Sequence, residues 1–151
     1  MVGEIIMIIF GQRDHTLKYM QRKAAYAIIK NSDEQFLIVK DEDGYFFLIG
    51  GGIEEDEDPT EALMREALEE TGYKIRINRL IGHAQRHWVS NKYPACSQHN
   101  IGVFYQCDLL EQVALPVEAA PMLWATLNDL EKYLFHEHHL YMVMKSLGGE
   151  G

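Results

Sequence analysis

Apolar and β-branched residues occur in short runs separated by polar turns, a pattern that is typical of β-strands. Residues 31–34 and 41–44 have turn composition, and Asp43-Gly44 is a strong hairpin signal. We therefore predict a series of strands that are joined mainly by hairpins. The predicted strands cover residues 22–30, 35–40, 45–49, 75–89 and 100–109.

Two segments have a helical pattern. Asp58 is a suitable N-cap, Pro59 fits the first helical turn, and Gly72 is placed to end the helix. The first predicted helix therefore spans residues 59–71. A second is predicted at 135–147, where apolar residues recur at helical spacing. Strands and helices in this order favour an α+β fold, an α/β/α sandwich in which a mixed β-sheet lies between helices.

Composition limits the class of function. The chain has 151 residues and a formal net charge of -9, so we expect a single domain over residues 1–151 and no binding to polymeric nucleic acid, which requires clustered Lys and Arg. The apolar run at residues 5–10 is too short to span a membrane, and we expect a cytoplasmic protein. This run could pair across a homodimer or form an internal edge strand. Cys96 and Cys107 form no CxxC motif and are expected to be reduced.

Residues 50–73 are strongly acidic, with nine carboxylates and one basic residue. Glu66, Glu69 and Glu70 are at neighbouring helical positions, where like charges cost roughly 0.2–0.5 kcal/mol per pair. Three glycines precede the helix, and glycine lets backbone carbonyls approach an ion closely. Such hard oxygen ligands are preferred by Mg²⁺ or Mn²⁺. A helical wheel separates the glutamates from the apolar side, which we expect to pack on the sheet and which consists of Leu63, Met64, Ala67 and Leu68.

The spacing of these residues resembles a known motif. Starting at Gly51, five residues precede Glu57, seven more precede Arg65-Glu66, and Glu69-Glu70-Thr71-Gly72 follow. The pattern is similar at every fixed position to the Nudix box of MutT-like hydrolases. The chain departs from the family pattern only at less constrained places: Ile49 replaces the proline that commonly precedes the glycines, and Tyr73 replaces an aliphatic residue.

The resemblance implies roles for the residues of the box. Metal binding is implied for Glu66, Glu69 and Glu70, with the backbone carbonyl of Gly50 or Gly51 as a further ligand. Structural support of the box is implied for Gly51, Glu57, Arg65 and Gly72. The general base that activates water is either Glu66 or Glu118, because similar proteins often place an additional glutamate in the region of the latter.

The activity that the resemblance implies is a pyrophosphohydrolase that depends on Mg²⁺ or Mn²⁺ and cleaves a nucleoside diphosphate linked to another moiety. A (d)NTP or an oxidised dNTP, converted to the monophosphate, is the substrate we favour. The alternatives are ADP-ribose, a nucleotide sugar or a dinucleoside polyphosphate as substrate, or a non-catalytic domain that senses a nucleotide. A calcium-binding module at residues 41–44 is disfavoured, because Val39 stands where an EF-hand needs an acid.

Residues outside the box are expected to select the substrate. Trp88 and Tyr93 could stack on a base, as could Tyr45 and Phe47, and Arg86 and Lys92 could contact phosphates. The segment His136-Glu137-His138-His139 fails the HExxH zinc pattern, because Leu140 follows it. We interpret this segment as a solvated helix end.

Overall fold

The computed structural model describes residues 8–117 and 120–148, which form a mixed β-sheet flanked by helices. The predicted α+β class is confirmed. Within these residues the sheet has seven strands in the order β1-β5-β6-β2-β4-β3-β7, with β1–β5 and β2–β6 parallel and the other pairs antiparallel. The elements are β1 (Ile8–Phe10), β2 (Lys18–Ile29), β3 (Gln35–Lys40), β4 (Phe46–Gly52), α1 (Pro59–Thr71), β5 (Tyr73–Trp88), β6 (Cys96–Gln112), β7 (Met122–Thr126), α2 (Leu127–Tyr133) and α3 (Glu137–Gly148).

Each face of the sheet is covered by helices. Alternate residues of β2 point to opposite faces, so Ala25 and Ala27 pack with Leu63 and Ala67 of α1. On the other face, a second core contains residues of β2 and β6 together with α2 and α3: Tyr26, Ile28, Phe104, Leu130, Met142 and Val143. Both cores are formed by residues that are almost fully buried. Among the described residues, no helix has the length and apolar character needed to cross a membrane.

The predicted strands lie where the structure has strands, but several of their first or last residues were predicted wrongly. β4 continues through the glycines to Gly52, because the glycine backbone pairs with β2 as far as Ala24. β6 begins at Cys96 rather than at residue 100, since its N-terminal half pairs with β2. β7 was not predicted. Residues 8–10 form an internal edge strand beside β5, while residues 5–7 lie outside the described part of the chain.

The prediction for the buried side of α1 was partly wrong. Leu63 and Ala67 are fully buried, but Met64 is 44% exposed and Leu68 is 37% exposed. The helix is turned so that the side chain of Glu66 is only 16% exposed. Part of the acidic side of α1 therefore faces the strands, and part of its apolar side faces solvent.

A capping box fixes the start of α1. The side chain of Asp58 accepts a hydrogen bond from the backbone N–H of Glu61 (2.9 Å), and the side chain of Glu61 accepts one from the backbone N–H of Asp58 (3.0 Å). These bonds satisfy donors that a helix N-terminus otherwise leaves unpaired.

We expect Asp58→Ala to lower the free energy of unfolding by about 1 kcal/mol, because it removes the N-cap acceptor. Urea denaturation of the variant and of the unchanged protein measures the difference. Asp33→Ala, at an exposed turn, is the control. An equal midpoint for Asp58→Ala and the unchanged protein would contradict the capping role.

Candidate active site

Arg65 ties the loop that follows β4 to helix α1. Its Nε and Nη2 donate to the two carboxylate oxygens of Glu57 at 2.7 and 2.9 Å, and Nη2 also donates to the carbonyl oxygen of Gly52 at 2.9 Å. The hydrogen bonds from Arg65 lower the pKa of Glu57, and the same bonds raise the pKa of Arg65. This bidentate pair fixes the loop in the way expected of a structural support.

The remaining nitrogen of Arg65 reaches two glutamates of the box. Nη1 donates to Glu66 at 3.1 Å and to Glu69 at 3.2 Å. The third glutamate, Glu70, is bonded to the glycine loop instead: one of its carboxylate oxygens accepts a hydrogen bond from the backbone N–H of Gly50 at 3.0 Å. Arg65 and the glycine loop therefore orient the three carboxylates.

Glycine at position 51 makes room for Glu66. A Cβ atom at this position would lie 2.6 Å from the carboxylate carbon of Glu66, which is closer than such atoms can approach. Burial raises the pKa of Glu66, and the hydrogen bond from Arg65 opposes that shift. Gly72 serves the helix instead, since its φ of 77° ends α1 in the left-handed conformation and its N–H donates to the carbonyl oxygen of Leu68.

The oxygen atoms of the glutamates and of the glycine backbone are suitable ligands for a hard divalent cation. Glu66 and Glu70 offer carboxylate oxygens beside Gly50 and Gly51, and the carboxylate of Glu66 occupies the space that the missing side chain of Gly51 leaves. Glu69 points to Arg65. Over residues 8–117 and 120–148, no three His, Cys, Asp or Glu side chains are already gathered as a metal cage. Arg65 holds Glu66 and Glu69, and the backbone N–H of Gly50 holds Glu70.

A cavity of about 1020 Å³ opens beside these carboxylates. Residues of β2, β4, β5 and β6 form its floor; on β2 and β5 they are at alternate positions, which the strand periodicity of two brings to one side. The residues predicted to contact substrate line this cavity together with Glu66, Glu70, Gly50 and Gly51; they are Tyr45, Phe47, Arg86, Trp88, Lys92 and Tyr93. Glu57, Arg65 and Glu69 are absent from its walls.

Aromatic and basic side chains form the part of the cavity around the start of α3. The guanidinium carbon of Arg86 is 5.4 Å from the ring centre of Trp88 and 5.1 Å from that of Phe135. Phe135 also lies 4.6 Å from Tyr45 and 5.6 Å from Phe47, measured between ring centres. A flat ligand that entered this region would meet aromatic faces on several sides.

The prediction of a solvated histidine segment was wrong. His136 is 5% exposed, and His138 and His139 are fully buried. Burial lowers the pKa of His136 to about 2 and that of His138 to about 3, and it lowers the pKa of His139 as well. The sequence pattern did not reveal this because the segment begins α3 where the chain crosses the sheet, so contacts with β4, β5 and β6 bury it.

Sequence reasoning also missed Arg22 and Asn100. Arg22 lines the cavity, and its guanidinium lies 2.8 Å from the place that a Cβ at Gly52 would take. It makes no hydrogen bond or ion pair within the described ranges of the chain. Asn100 pairs with Arg22 on one side and with Arg86 on the other in the strand register. The alternation of β2 and β6 was the available signal, since it places these polar residues on the face that holds the cavity.

Glu118, the second candidate for the general base, lies outside the residues that the structure describes. Its role stays a prediction.

The comparison with protein families identifies the class of protein. The family model for the NUDIX domain matches residues 20–145, which is most of the chain, so the chain belongs to the NUDIX family. The assignment to the Nudix hydrolases on the basis of the box is thereby confirmed.

One curated relative is similar over part of its length. A Bacillus subtilis (strain 168) protein with the provisional name 8-oxo-dGTP diphosphatase is 40% identical over 68 residues. These residues make up 44% of this chain and 46% of the relative, so the match spans less than half of the relative's length.

Solved structures share the fold. A NUDIX hydrolase from Nitrosomonas europaea is similar with a TM-score of 0.66 at 16% identity, over 86% of this chain and 90% of that one. A MutT protein from Methanosarcina mazei Go1 has a TM-score of 0.66 at 19% identity, over 89% and 98%. An ADP-ribose pyrophosphatase from Streptococcus suis 89-1591 has a TM-score of 0.62 at 22% identity, over 86% and 94%. At these identities, the similarity concerns the fold alone.

Proposed function

We propose that this protein is a divalent-metal-dependent pyrophosphohydrolase that cleaves a (d)NTP or an oxidised dNTP to the monophosphate and pyrophosphate. One observation carries the proposal. Glu66 and Glu70 line the same cavity as Gly50 and Gly51, and the other walls of this cavity contain basic and aromatic residues. Such a cavity offers carboxylates for a cation, cations for phosphates and rings for a base. The chain would act as one domain in the cytoplasm.

Glu66 and Glu70 would hold the cation, Mg²⁺ or Mn²⁺, with the carbonyl of Gly50 and, after release from Arg65, Glu69 as further ligands. When bound, this cation neutralises charge on the phosphate oxygens, which would otherwise be repelled by the glutamates. Arg65 orients Glu66 and Glu69 through its Nη1 atom, while Glu57 keeps Arg65 in place.

The reaction joins a water oxygen to phosphorus and breaks one bridging P–O bond. The leaving pyrophosphate takes the electrons of that bond, and Glu66 or Glu118 accepts the proton of the attacking water. Arg22 lies on the cavity floor beside Gly52, and its donors are unpaired among the described residues. We assign to Arg22 the binding of phosphate oxygens, because guanidinium matches their geometry and charge.

The choice of a triphosphate substrate is supported by the relative from Bacillus subtilis, whose provisional name refers to 8-oxo-dGTP. Structural relatives include proteins described as an ADP-ribose pyrophosphatase and a C. elegans Ap4A hydrolase. ADP-ribose and dinucleoside polyphosphates are therefore the competing substrates, and a nucleotide sensor without turnover is the competing class of function.

A substrate panel tests the proposal. The purified protein is incubated with (d)NTPs, 8-oxo-dGTP, ADP-ribose, nucleotide sugars and diadenosine polyphosphates, with Mg²⁺ or Mn²⁺ and again with excess chelator. Products are separated by ion-exchange chromatography. We expect a triphosphate to give the monophosphate and pyrophosphate in the presence of metal, and turnover to cease with chelator because the glutamates then repel the substrate.

Two outcomes would contradict this proposal. Faster cleavage of ADP-ribose or a dinucleoside polyphosphate than of every triphosphate would identify that compound, and not a triphosphate, as the substrate. Nucleotide binding by calorimetry without turnover of any compound would favour the sensor.

A further inference from the structure

Arg86 has hydrogen-bond donors left over after its contacts within the protein. Nη1 donates to the carbonyl oxygen of Phe135 at 2.9 Å and to Nδ1 of His136 at 3.0 Å. Nε is buried without a hydrogen bond, and its nearest charged neighbour is a carboxylate oxygen of Glu137 at 3.6 Å. Nη2 makes no hydrogen bond with any residue in the described ranges. Arg86 lines the cavity and carries only donors there.

The orientation of Arg86 is fixed by its surroundings. Its side chain is 16% exposed, and its guanidinium lies beside the rings of Trp88 and Phe135, whose centres are 6.3 Å apart. A planar guanidinium that is held in this way loses little conformational freedom when it binds a ligand. Because Nε is buried and Nη1 is already bonded, Nη2 forms the preorganised donor edge that Arg86 presents to the cavity.

The buried histidines form the support behind this arginine. The ring centres of His136, His138 and His139 are 4.9–5.0 Å apart. His139 accepts a hydrogen bond from the backbone N–H of Leu48 at 3.3 Å, which anchors the cluster to β4. Because Arg86 only donates, His136 must be unprotonated at Nδ1 to accept its hydrogen bond.

Asn100 links the histidine cluster to the cavity floor. Its side-chain nitrogen donates to the hydroxyl of Tyr26 at 2.9 Å, so its oxygen accepts from Nε2 of His138 at 3.0 Å. Each of the three histidines is thus bonded to a residue of the cavity wall or to the strand beneath it. This arrangement keeps Arg86 and the start of α3 in one geometry.

We propose that Arg86 is a specificity-determining residue that reads the base of the substrate and selects a purine with an oxygen acceptor at C6, with the histidine cluster as its positioning support. This inference rests on the proposed nucleotide substrate. A guanine-type base offers acceptors at O6 and N7, whereas adenine offers N7 and a donor amino group at C6. The donor edge of Arg86 matches the first pattern and conflicts with the second.

A nucleobase is a better ligand for Arg86 than a phosphate group of the substrate. The rings of Trp88 and Phe135 lie beside Arg86, and Tyr45 and Phe47 pack against Phe135. A multiply charged phosphate would lose its water there for a single partly buried cation, which is costly. A neutral ring would instead gain stacking contacts and have its acceptors satisfied by the guanidinium.

The test compares ITP with ATP, which differ in the group at C6 and in the proton that ITP carries on N1. For the unchanged protein we expect kcat/KM to be about tenfold or more higher for ITP. In Arg86→Gln the amide can pair with adenine, so we expect the ratio to fall to about one or to reverse. Arg79→Gln, a basic side chain outside this cavity, should keep the original ratio.

His136→Asn tests the support. We expect it to lower kcat/KM for ITP while changing that for ATP little, since only the oxygen at C6 depends on the alignment of Arg86. A merely structural role of His136 would lower both values by the same factor. Circular dichroism and thermal melting establish that each variant is folded, and Arg86→Lys, which retains the cation but not the planar fork, is used if Arg86→Gln does not fold.

Three results would overturn this inference: equal kcat/KM for ITP and ATP in the unchanged protein, a preference for ATP, or an equal loss on both in the folded Arg86 variant. If neither triphosphate is hydrolysed, the substrate panel decides the proposed function separately, and the same ratio is obtained from dissociation constants by isothermal titration calorimetry. Equal binding of the two compounds, or no binding of either, would then also reject the role of Arg86.

Discussion

Glu70→Gln is expected to reduce kcat/KM for the best substrate by at least about 100-fold, equivalent to roughly 3 kcal/mol of transition-state stabilisation. The amide oxygen of glutamine can still accept the hydrogen bond from the N–H of Gly50, so the loop should keep its position. What is lost is the negative charge that we propose for holding a divalent cation. The measurement is steady-state hydrolysis over a range of Mg²⁺ and Mn²⁺ concentrations.

The matched control is Glu131→Gln, an exposed glutamate of α2, which removes one negative charge without touching the cavity. Its activity should equal that of the unchanged protein. A fall in melting temperature of Glu70→Gln, measured without metal, would reveal a structural contribution. Full activity of a folded Glu70→Gln at low metal concentration would exclude Glu70 as a metal ligand and weaken the proposed function.

Gly50→Ala is expected to lower the free energy of unfolding by at least about 3 kcal/mol. Gly50 has a φ of 146°, a conformation that L-residues with side chains rarely adopt. A Cβ atom there would also lie 2.1 Å from the carbonyl oxygen of Ala25 and 2.8 Å from the ring of Tyr26. β4 cannot yield easily, because Gly50 pairs with Tyr26 in the sheet. Urea denaturation followed by circular dichroism measures the change.

Gly44→Ala separates backbone strain from the steric clash. Gly44 also has a positive φ, 90°, but a Cβ atom there would meet only the end of the Lys40 side chain at 3.9 Å. We expect a cost of about 1 kcal/mol for this change. Similar costs for the two variants would contradict the close packing of Gly50 against β2.

The box residues were predictable from the sequence because their spacing is local. The bidentate contact of Arg65 with Glu57 and the cap formed by Asp58 connect residues at most eight positions apart. The start and end of α1 follow from the same short-range chemistry, through Pro59 and Gly72. For such features, the types of residue and the helical period are sufficient.

The orientation of α1 could not be predicted in the same way. The helical wheel identified an apolar side and an acidic side, but the packing of Leu63 and Ala67 on β2 turned Met64 and Leu68 outward. Packing is decided by the shape of the sheet. The packing of α1 on the sheet placed Glu66 against Gly51, a contact that the helical period of 3.6 residues does not predict.

The histidine segment shows the largest difference between pattern and structure. Four polar residues in a row, His136-Glu137-His138-His139, are typical of a solvated helix end, yet three of them are buried. Their partners are Leu48, Arg86 and Asn100, which are between 38 and 91 positions away in the sequence. Pairs at such separation come together only when β4, β5 and β6 have assembled.

The amino-acid pattern alone was enough for the mixed α+β class, the helix α1 and the membership of the Nudix hydrolases, because each depends on neighbouring residues and their period. Tertiary structure decided the wall of the cavity. Arg22, Arg86 and Asn100 lie on three strands whose alignment depends on long-range pairing. The free energy of burial and strand pairing, rather than any local preference, brings these side chains into one cavity with Glu66 and Glu70 of α1.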